Sequence, residues 1–406
     1  FLELVPEPSS TPICPQTSAQ SSCETSSLAS PTLTRLSCLA KRFKTYLVVN
    51  VPEVSPDQIH AYNTLIAFDR KGSILAKYRK RHMWNEPYFD SADNVSLTDP
   101  HQPSLGVFQT DFGVEFGLIT CFDLFYKEPW IVARSHPTAH FLFSTGWMSE
   151  LPVFSSTAVQ QAWARSVNVT LLSSNLVFRP KLMTGSSIMS RGGTVLASSI
   201  DYEQPEKDVV FVSHVPSNGA GAGGSPQSTA QMFHLDSTAT SSMKREENNG
   251  YPFPHKGALD LPWSFTFFNA SVGASQRLIV EQNGARCEAN ITVTSCAYTE
   301  LFALALFQGE WNGYCNTICS LAHCAGDKEQ LCFSHRQLEA HTRMTFSIHV
   351  TPAPTHSEEF LVLPIVTTNK AHLVAPENVR RGNIFSLSSE TECGSLLSPT
   401  QATQVW

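Results

Sequence analysis

The cysteines constrain this chain more than any other residue type. There are eleven in 406 residues, an odd number, so at least one has no intrachain partner. Cys14, Cys23 and Cys38 lie near the start, and Cys287, Cys296, Cys315, Cys319, Cys324, Cys332 and Cys393 crowd the last third. Cys121 stands far from both groups. Such a pattern reads as an oxidised, secreted protein with disulfides at both ends and one thiol apart. Ten remaining cysteines allow up to five disulfides. Pairing within 14–38 and within 287–393 is expected from proximity alone. A thiolate metal site at Cys315, Cys319 and Cys324 is the rival reading, and it is disfavoured because the spacing lacks a tight CxxC pair.

Four Asn-X-Ser/Thr sequons, at Asn94, Asn168, Asn269 and Asn290, agree with a secretory route. Asn94 sits in the polar run Ser-Ala-Asp-Asn-Val-Ser. Asn168 lies in Ser-Val-Asn-Val-Thr-Leu-Leu, which reads as a strand entering the core, so that sequon is expected to be bare. The formal net charge of −7 gives no reason to expect a nucleic-acid partner. No run approaches ~18 apolar residues, so no transmembrane segment is expected.

Strands and helices alternate through the first half. Residues 1–32, rich in Ser, Thr, Pro and Gln, read as a surface loop tied by Cys14 or Cys23. Leu33 to Arg42 has helical spacing, and Thr45 to Asn50 is a short strand. Tyr62 to Asp69 and Ser73 to Tyr78 form a hairpin around Arg70-Lys-Gly-Ser. Glu115 to Thr120 is an apolar strand running into Cys121. Pro129 to Thr138 is a helix and turn, Ala139 to Ser144 a strand, Phe154 to Ser166 a helix and Asn168 to Ser173 a strand. A hairpin spans Gly185 to Met189 and Gly193 to Ala197, and Val209 to Val215 closes the unit. The alternation predicts an α/β layered domain over 1–215 with a mixed sheet. In such folds catalytic groups gather at the C-terminal ends of strands, which is where Cys121 stands. The Gly/Ser-rich stretch 216–229 reads as a linker or loop. Residues 230–406 read as a cysteine-rich, mainly β domain, with strands at 275–280, 301–307, 344–349 and 360–366.

A nucleophilic cysteine needs a nearby base or a lowered pKa, and donors facing the developing oxyanion. Among histidines, His82, His136 and His140 come first, but none has positional logic; His136 and His140 read as surface or supporting residues. The basic run Lys77-Tyr-Arg-Lys-Arg-His offers another partner. Such a run is usually solvated, yet Met83 and Trp84 follow at once and must pack somewhere. A lysine at a core rim beside a thiol stabilises both thiolate and oxyanion.

Several strings recur in a fixed order: Arg35-Leu-Ser-Cys-Leu-Ala-Lys41, Tyr62-Asn-Thr with Phe68-Asp69, Lys77-Tyr-Arg-Lys80, Phe116-Gly-Leu-Ile-Thr-Cys121-Phe-Asp123, Gly146-Trp-Met with Leu151-Pro152, and Met183-Thr-Gly-Ser186. Together they resemble the vanin and biotinidase branch of the nitrilase (carbon–nitrogen hydrolase) family; the likeness extends more weakly to Tyr314–Cys324. The resemblance implies an αββα sandwich carrying a Glu-Lys-Cys triad. By match, Cys121 is the nucleophile, Lys80 the lysine that holds the tetrahedral intermediate, the Phe122 N–H a second oxyanion donor and Glu86 the supporting glutamate. The implied reaction is hydrolysis of a small secondary amide, pantetheine-like or biotinyl, through a thioester, with no cofactor. The family's general base, a glutamate in a Pro-Glu pair after an early strand, has no evident counterpart. Pro6-Glu7 falls in a segment resembling a later part of the family, so Glu7 is expected at the surface. The expectation is an incomplete N-terminus, with an upstream fragment of the same precursor completing the fold. The alternative is a catalytically impaired relative used for binding or assembly.

Overall fold

The computed structural model describes residues 2–10, 12–14, 30–84, 86–92, 106–149, 155–178, 183–199, 208–216, 230–235, 261–296, 299–311, 314–324, 332, 342–351, 360–362, 385–387 and 402–404. The sequon at Asn94, the Leu151-Pro152 pair and nearly all of 216–229 lie outside these residues. The chain divides into two compact units, the first made of residues up to Thr145 together with Leu171–Ser174.

The first unit begins with helix α1 (Pro31–Phe43). The Ser30 hydroxyl caps it by accepting from the Leu33 N–H, and Pro31 starts it where no backbone donor is needed. Lys41 and Arg42 lie in its last turn, where cations favour the helix dipole. Strand β1 (Glu3–Leu4), which precedes the helix, and strands β2 (Leu47–Val54), β3 (Ala61–Phe68) and β4 (Ile74–Arg79), which follow it, form one sheet in the order β1-β2-β3-β4. β1 runs parallel to β2, and the other pairs are antiparallel.

Because side chains alternate across a sheet, its two faces have different cores. On the outer face, Leu33 and Ala40 of α1 pack on Val5, Val51, Ile66, Phe68 and Ile74. On the inner face, Leu65, Ala67, Ala76 and Tyr78 meet Phe108 and Leu118 of a second sheet. That sheet contains β5 (Phe108–Gln109), β6 (Glu115–Thr120) and β7 (His140–Thr145), with β6 parallel to β7. Gly117 faces Phe141 across the ladder, where a Cβ would come within 2.5 Å of the ring. Helix α2 (Lys127–Ser135) packs on β6. The layers are therefore helix, sheet, sheet, helix, the mixed α/β arrangement that the sequence implies.

Three expectations change. Residues 1–32 are not surface loop throughout, because Glu3–Leu4 pairs with β2 and Val5 is buried. Strand β2 continues past Asn50 to Val54; Pro52 breaks the apolar run and hides the strand from a periodicity reading. The strand expected from Asn168 is β8 (Thr170–Asn175). Asn168 itself sits exposed in the preceding turn at φ 55°, a backbone conformation that Asn tolerates.

The second unit opens with helix α3 (Ser156–Ser166), packed on the hairpin β9 (Ser186–Met189) and β10 (Val195–Ser199). Ser156 donates to the Thr184 carbonyl at 2.6 Å and Gln160 to the Gly185 carbonyl at 3.0 Å. β11 (Asp208–Val212) pairs with β12 (Gln231–Leu235). The remainder is a β-sandwich. One sheet contains β13 (Ser264–Ala270), β16 (Glu300–Trp311) and β17 (Tyr314–Cys324); the other contains β14 (Ser275–Gln282), β15 (Ala285–Ser295) and β18 (Arg343–Thr351). A shared core holds Phe268, Leu278, Val280, Ile291, Phe302, Leu304, Leu306 and Ile348.

The disulfide Cys287–Cys319 joins β15 to β17 and so staples the two sheets. Cys14–Cys38 and Cys324–Cys332 are the other described pairs. Cys319 and Cys324, two of the three cysteines in the metal-site reading, are each paired in a disulfide. Cys121 is a free thiol, and so is Cys296, which reduces the expected set of disulfides. Among the described residues no helix is long and apolar enough to cross a membrane.

A buried ion cluster lies on the outer face of the first sheet. Glu53, 1% exposed, accepts two hydrogen bonds from Arg79 at 2.8 and 3.0 Å and one from Thr64 at 2.6 Å, and faces the Lys77 ammonium at 3.3 Å. Glu7, itself exposed, reaches in to Lys77 as well. Burial pushes the Glu53 pKa up, but Arg79, Lys77 and Thr64 outweigh it, and the net shift is downward. A depressed carboxyl supplies stability that is complete above the ordinary glutamate range and is lost as pH falls through the folded-state value. Glu53→Ala strands the Arg79 guanidinium, leaves Lys77 with Glu7 and is expected to cost ~3–5 kcal/mol by urea denaturation. The gap to wild type is expected to narrow as the pH is lowered below about 4. A difference that stays constant with pH would contradict the ion-pair account.

Candidate active site

Cys121 follows the last residue of β6 and opens a short 3-10 turn, Cys121–Phe125. Its φ is 46°, left-handed backbone that non-glycine residues rarely adopt. Strained backbone of this kind collects where a side chain must be aimed. The thiol is partly exposed.

Lys80 follows the last residue of β4. Side-chain alternation turns Tyr78 and Lys80 toward the second sheet, and Lys77 and Arg79 toward α1. The basic run is therefore not solvated. Lys77 and Arg79 serve the Glu53 cluster, while Lys80 is 0% exposed on the inner face. Its ammonium donates to Glu86 at 2.5 Å, and Glu86 also accepts from Asn63 at 3.3 Å. The Lys80 N–H donates to the Asn63 carbonyl at 2.8 Å, which fixes the backbone beside the same asparagine. Burial disfavours the charged form of Lys80. The opposing pull of Cys121, then of Glu86 and Asp123, exceeds it, and the pKa stands above the usual lysine value. The ammonium therefore keeps its charge at neutral pH beside the thiol.

Phe122 anchors an aromatic wall. Its ring meets Trp84 with centroids 4.6 Å apart, Tyr126 at 5.3 Å and Phe125 at 5.7 Å. Trp84 thus does follow the basic run into a packed environment. The Phe122 N–H belongs to the first turn of the 3-10 segment, where backbone donors have no intrahelical acceptor.

Asp123 is the residue that sequence reasoning passed over, although it stands within the quoted motif. It is 0% exposed and accepts from the Tyr78 hydroxyl at 2.7 Å and from the His82 N–H at 2.7 Å. Burial raises its pKa; His82, Lys80 and the Tyr78 hydrogen bond pull the other way without cancelling it.

The histidines go elsewhere. The His82 ring stacks on Tyr126 and its Nε2 faces Glu128 at 3.0 Å. His136 faces Glu115 at 2.8 Å. His140 is buried rather than at the surface, with its ring against Phe116. Glu7 is exposed, as expected, and meets Lys77 on the outer face. Pro52-Glu53 is a Pro-Glu pair on an early strand that the sequence reading missed. Glu53 points to the outer face, away from Lys80, so the pleat removes it as a base for Cys121.

Among the described sequons, Asn269 and Asn290 are exposed on strands. Asn290 lies in a shallow concavity with Ser275, Arg277, Thr292, Thr345 and Phe346.

Residues 2–165 match the carbon-nitrogen hydrolase family. Two relatives show where the sequence likeness lies. A biotinidase of Takifugu rubripes is 28% identical over 380 residues, covering 86% of this chain and 69% of the relative. A pantetheinase of Bos taurus is 37% identical over 170 residues, covering 39% of this chain and 32% of the relative. The chain is thus similar in sequence to biotinidases and pantetheinases, and the second alignment spans about a third of that bovine enzyme's length. A crystal structure of a nitrilase-superfamily member from Saccharomyces cerevisiae aligns with 43% of this chain and 63% of its own at 19% identity, with a TM-score of 0.37.

If Lys80 stabilises the Cys121 thiolate, Cys121 reacts with iodoacetamide at pH 7 faster than Cys296 in the oxidised protein. Lys80→Met keeps most of the buried volume and removes the charge; it is expected to slow Cys121 at least about tenfold, read by mass spectrometry of the labelled peptides. Equal rates in the two proteins would remove the lysine from the account.

Proposed function

We propose that this chain is the catalytic piece of an extracellular amidohydrolase that cleaves a small secondary amide, pantetheine-like or biotinyl. The observation that carries the reading is a buried, charged Lys80 held by Glu86 and coupled to a free thiol at a strained strand end. In this mechanism the Cys121 thiolate attacks the amide carbonyl. Lys80 and the Phe122 N–H receive the oxyanion. The intermediate collapses with the amine leaving as it takes up a proton. Water then attacks the thioester, releasing the carboxylic acid and restoring the thiol.

Glu86 is the supporting carboxylate, since it is engaged by both Lys80 and Asn63. The general base is a glutamate supplied by an upstream fragment of the same precursor. Residues 1–215 form the catalytic domain, 216–229 the linker and 230–406 the disulfide-rich β domain. Oxidised cysteine pairs and exposed sequons at Asn269 and Asn290 support the secretory route. The second reading, a catalytically impaired relative that binds or assembles, draws on the turning of Glu53 away from the thiol face.

Incubation with pantetheine and with a biotinyl amide, with and without the upstream fragment, separates the two. The hydrolase reading expects an acyl adduct on Cys121 in acid-quenched mass spectra, and turnover only with the fragment present. No adduct and no turnover in either mixture favour the binding protein. In protein made through a secretory route, peptide N-glycosidase treatment is expected to convert Asn269 and Asn290 to Asp; unmodified asparagine at both would refute their assignment as glycan sites.

A further inference from the structure

Asp123 and Cys121 stand two residues apart in one tight turn, while Tyr78, Lys80 and His82 stand two residues apart along β4 and its exit. The Asp123 carboxylate touches the second series on both sides of the lysine. One oxygen accepts from the Tyr78 hydroxyl at 2.7 Å and the other from the His82 N–H at 2.7 Å. Lys80 sits between these two attachments. We infer that Asp123 is a positioning residue: its carboxylate clamps the backbone of the lysine's segment to the turn that bears the nucleophile, and so fixes the Lys80 ammonium relative to the Cys121 sulfur. This rests on reading Cys121 as the reactive thiol.

The chemistry of the clamp fits the task. A fully buried carboxylate is costly unless its oxygens are satisfied, and here each oxygen has a short, directed donor from the strand it must hold. The groups facing it are Tyr78, Lys80, Arg81 and His82 from the lysine's segment, with Cys121 on its own turn and Glu128 from α2 beyond His82. Tyr78 is pushed well above its ordinary pKa by burial and then by Asp123, so it stays a neutral hydroxyl donor through the working range. The aromatic contacts of Phe122 with Trp84 brace the same two segments from the other side. A misplacement of about 1 Å at such a site costs on the order of a hundredfold in rate, so a rigid link between nucleophile and oxyanion donor has a mechanistic use.

The rival is a purely structural acid that satisfies a buried N–H and hydroxyl. Removing Asp123 also deletes a negative charge near the thiolate, which by itself favours the thiolate. Asp123→Asn and Asp123→Ala delete the same charge, so the difference between them reports geometry. Asparagine keeps both arms, with its carbonyl accepting from His82 N–H and its amide donating to the Tyr78 oxygen; alanine keeps neither.

The experiment is the pH dependence of Cys121 alkylation by iodoacetamide in the full chain, with melting temperatures alongside. The clamp expects Asp123→Ala to have a midpoint about one pH unit above that of Asp123→Asn and a rate about tenfold lower at pH 7. Tyr78→Phe keeps the charge and loses one arm, and its midpoint is expected to lie above wild type. Equal midpoints for the alanine and asparagine variants, with only the melting temperature differing, overturn the proposal. If Asp123→Ala does not fold, a Tyr78→Phe midpoint equal to wild type overturns it instead. Alkylation needs neither amide substrate nor upstream fragment. Alkylation that depends on Asp123, together with no amide hydrolysis even when the upstream fragment is present, would sink the hydrolase reading and leave the clamp standing.

Discussion

A lysine ammonium taken wholly out of water costs several kcal/mol unless fixed charges surround it. Lys80 meets that condition on the inner face of the first sheet. Glu86 binds it directly, the interactions with Cys121, Glu86 and Asp123 favour the charged form, and the net effect holds its pKa above the usual value despite burial. The rest of the first unit serves this arrangement. The two sheets must pack for Lys80 to be buried, β6 must end at Cys121 for the thiol to face it, and Asp123 must reach back to β4 to hold the two together.

The same strand carries a second charge cluster with a different purpose. Lys77 and Arg79 point outward to Glu53, and Tyr78 and Lys80 point inward. One run of basic residues is thus divided by the two-residue period of a strand into a stabilising ion network and a candidate oxyanion site. Glu53 belongs to the first. Its place in a Pro-Glu pair is a sequence coincidence that the pleat exposes, since no change of rotamer carries a side chain through a sheet.

Most of the layering of the first unit was legible from periodicity, because its strands and helices each bury one face. The hairpin around Arg70-Lys-Gly-Ser, the strand into Cys121 and the α1 helix are patterns of local spacing. What escaped had non-local causes. β1 is two residues long and exists through its pairing with β2. β2 is interrupted in composition by Pro52 but not in hydrogen bonding to β3. Asn168 looked buried because its apolar neighbours are; the turn after α3 exposes it. In the β-sandwich, strand β15 carries a polar outer face that dilutes its apolar signal, while β13 places Phe265 and Phe267 on the face opposite Phe268 and Ala270, which blurs its alternation; the shared core identifies both.

The sequence by itself determined that Cys121 stands apart, that a basic run and an aromatic pair precede it, and that its ordered motifs resemble one branch of the carbon–nitrogen hydrolases. Those are properties of residue type and order, which no fold is needed to read. Only the tertiary structure decided which lysine is buried beside the thiol, which carboxylates reach it and which cysteines are consumed in disulfides. Such outcomes depend on the face each side chain takes and on what stands opposite it. Asp123 shows the difference: its position two residues after the thiol was visible from the start, but its link to both sides of Lys80 exists only once the turn and the strand are packed together.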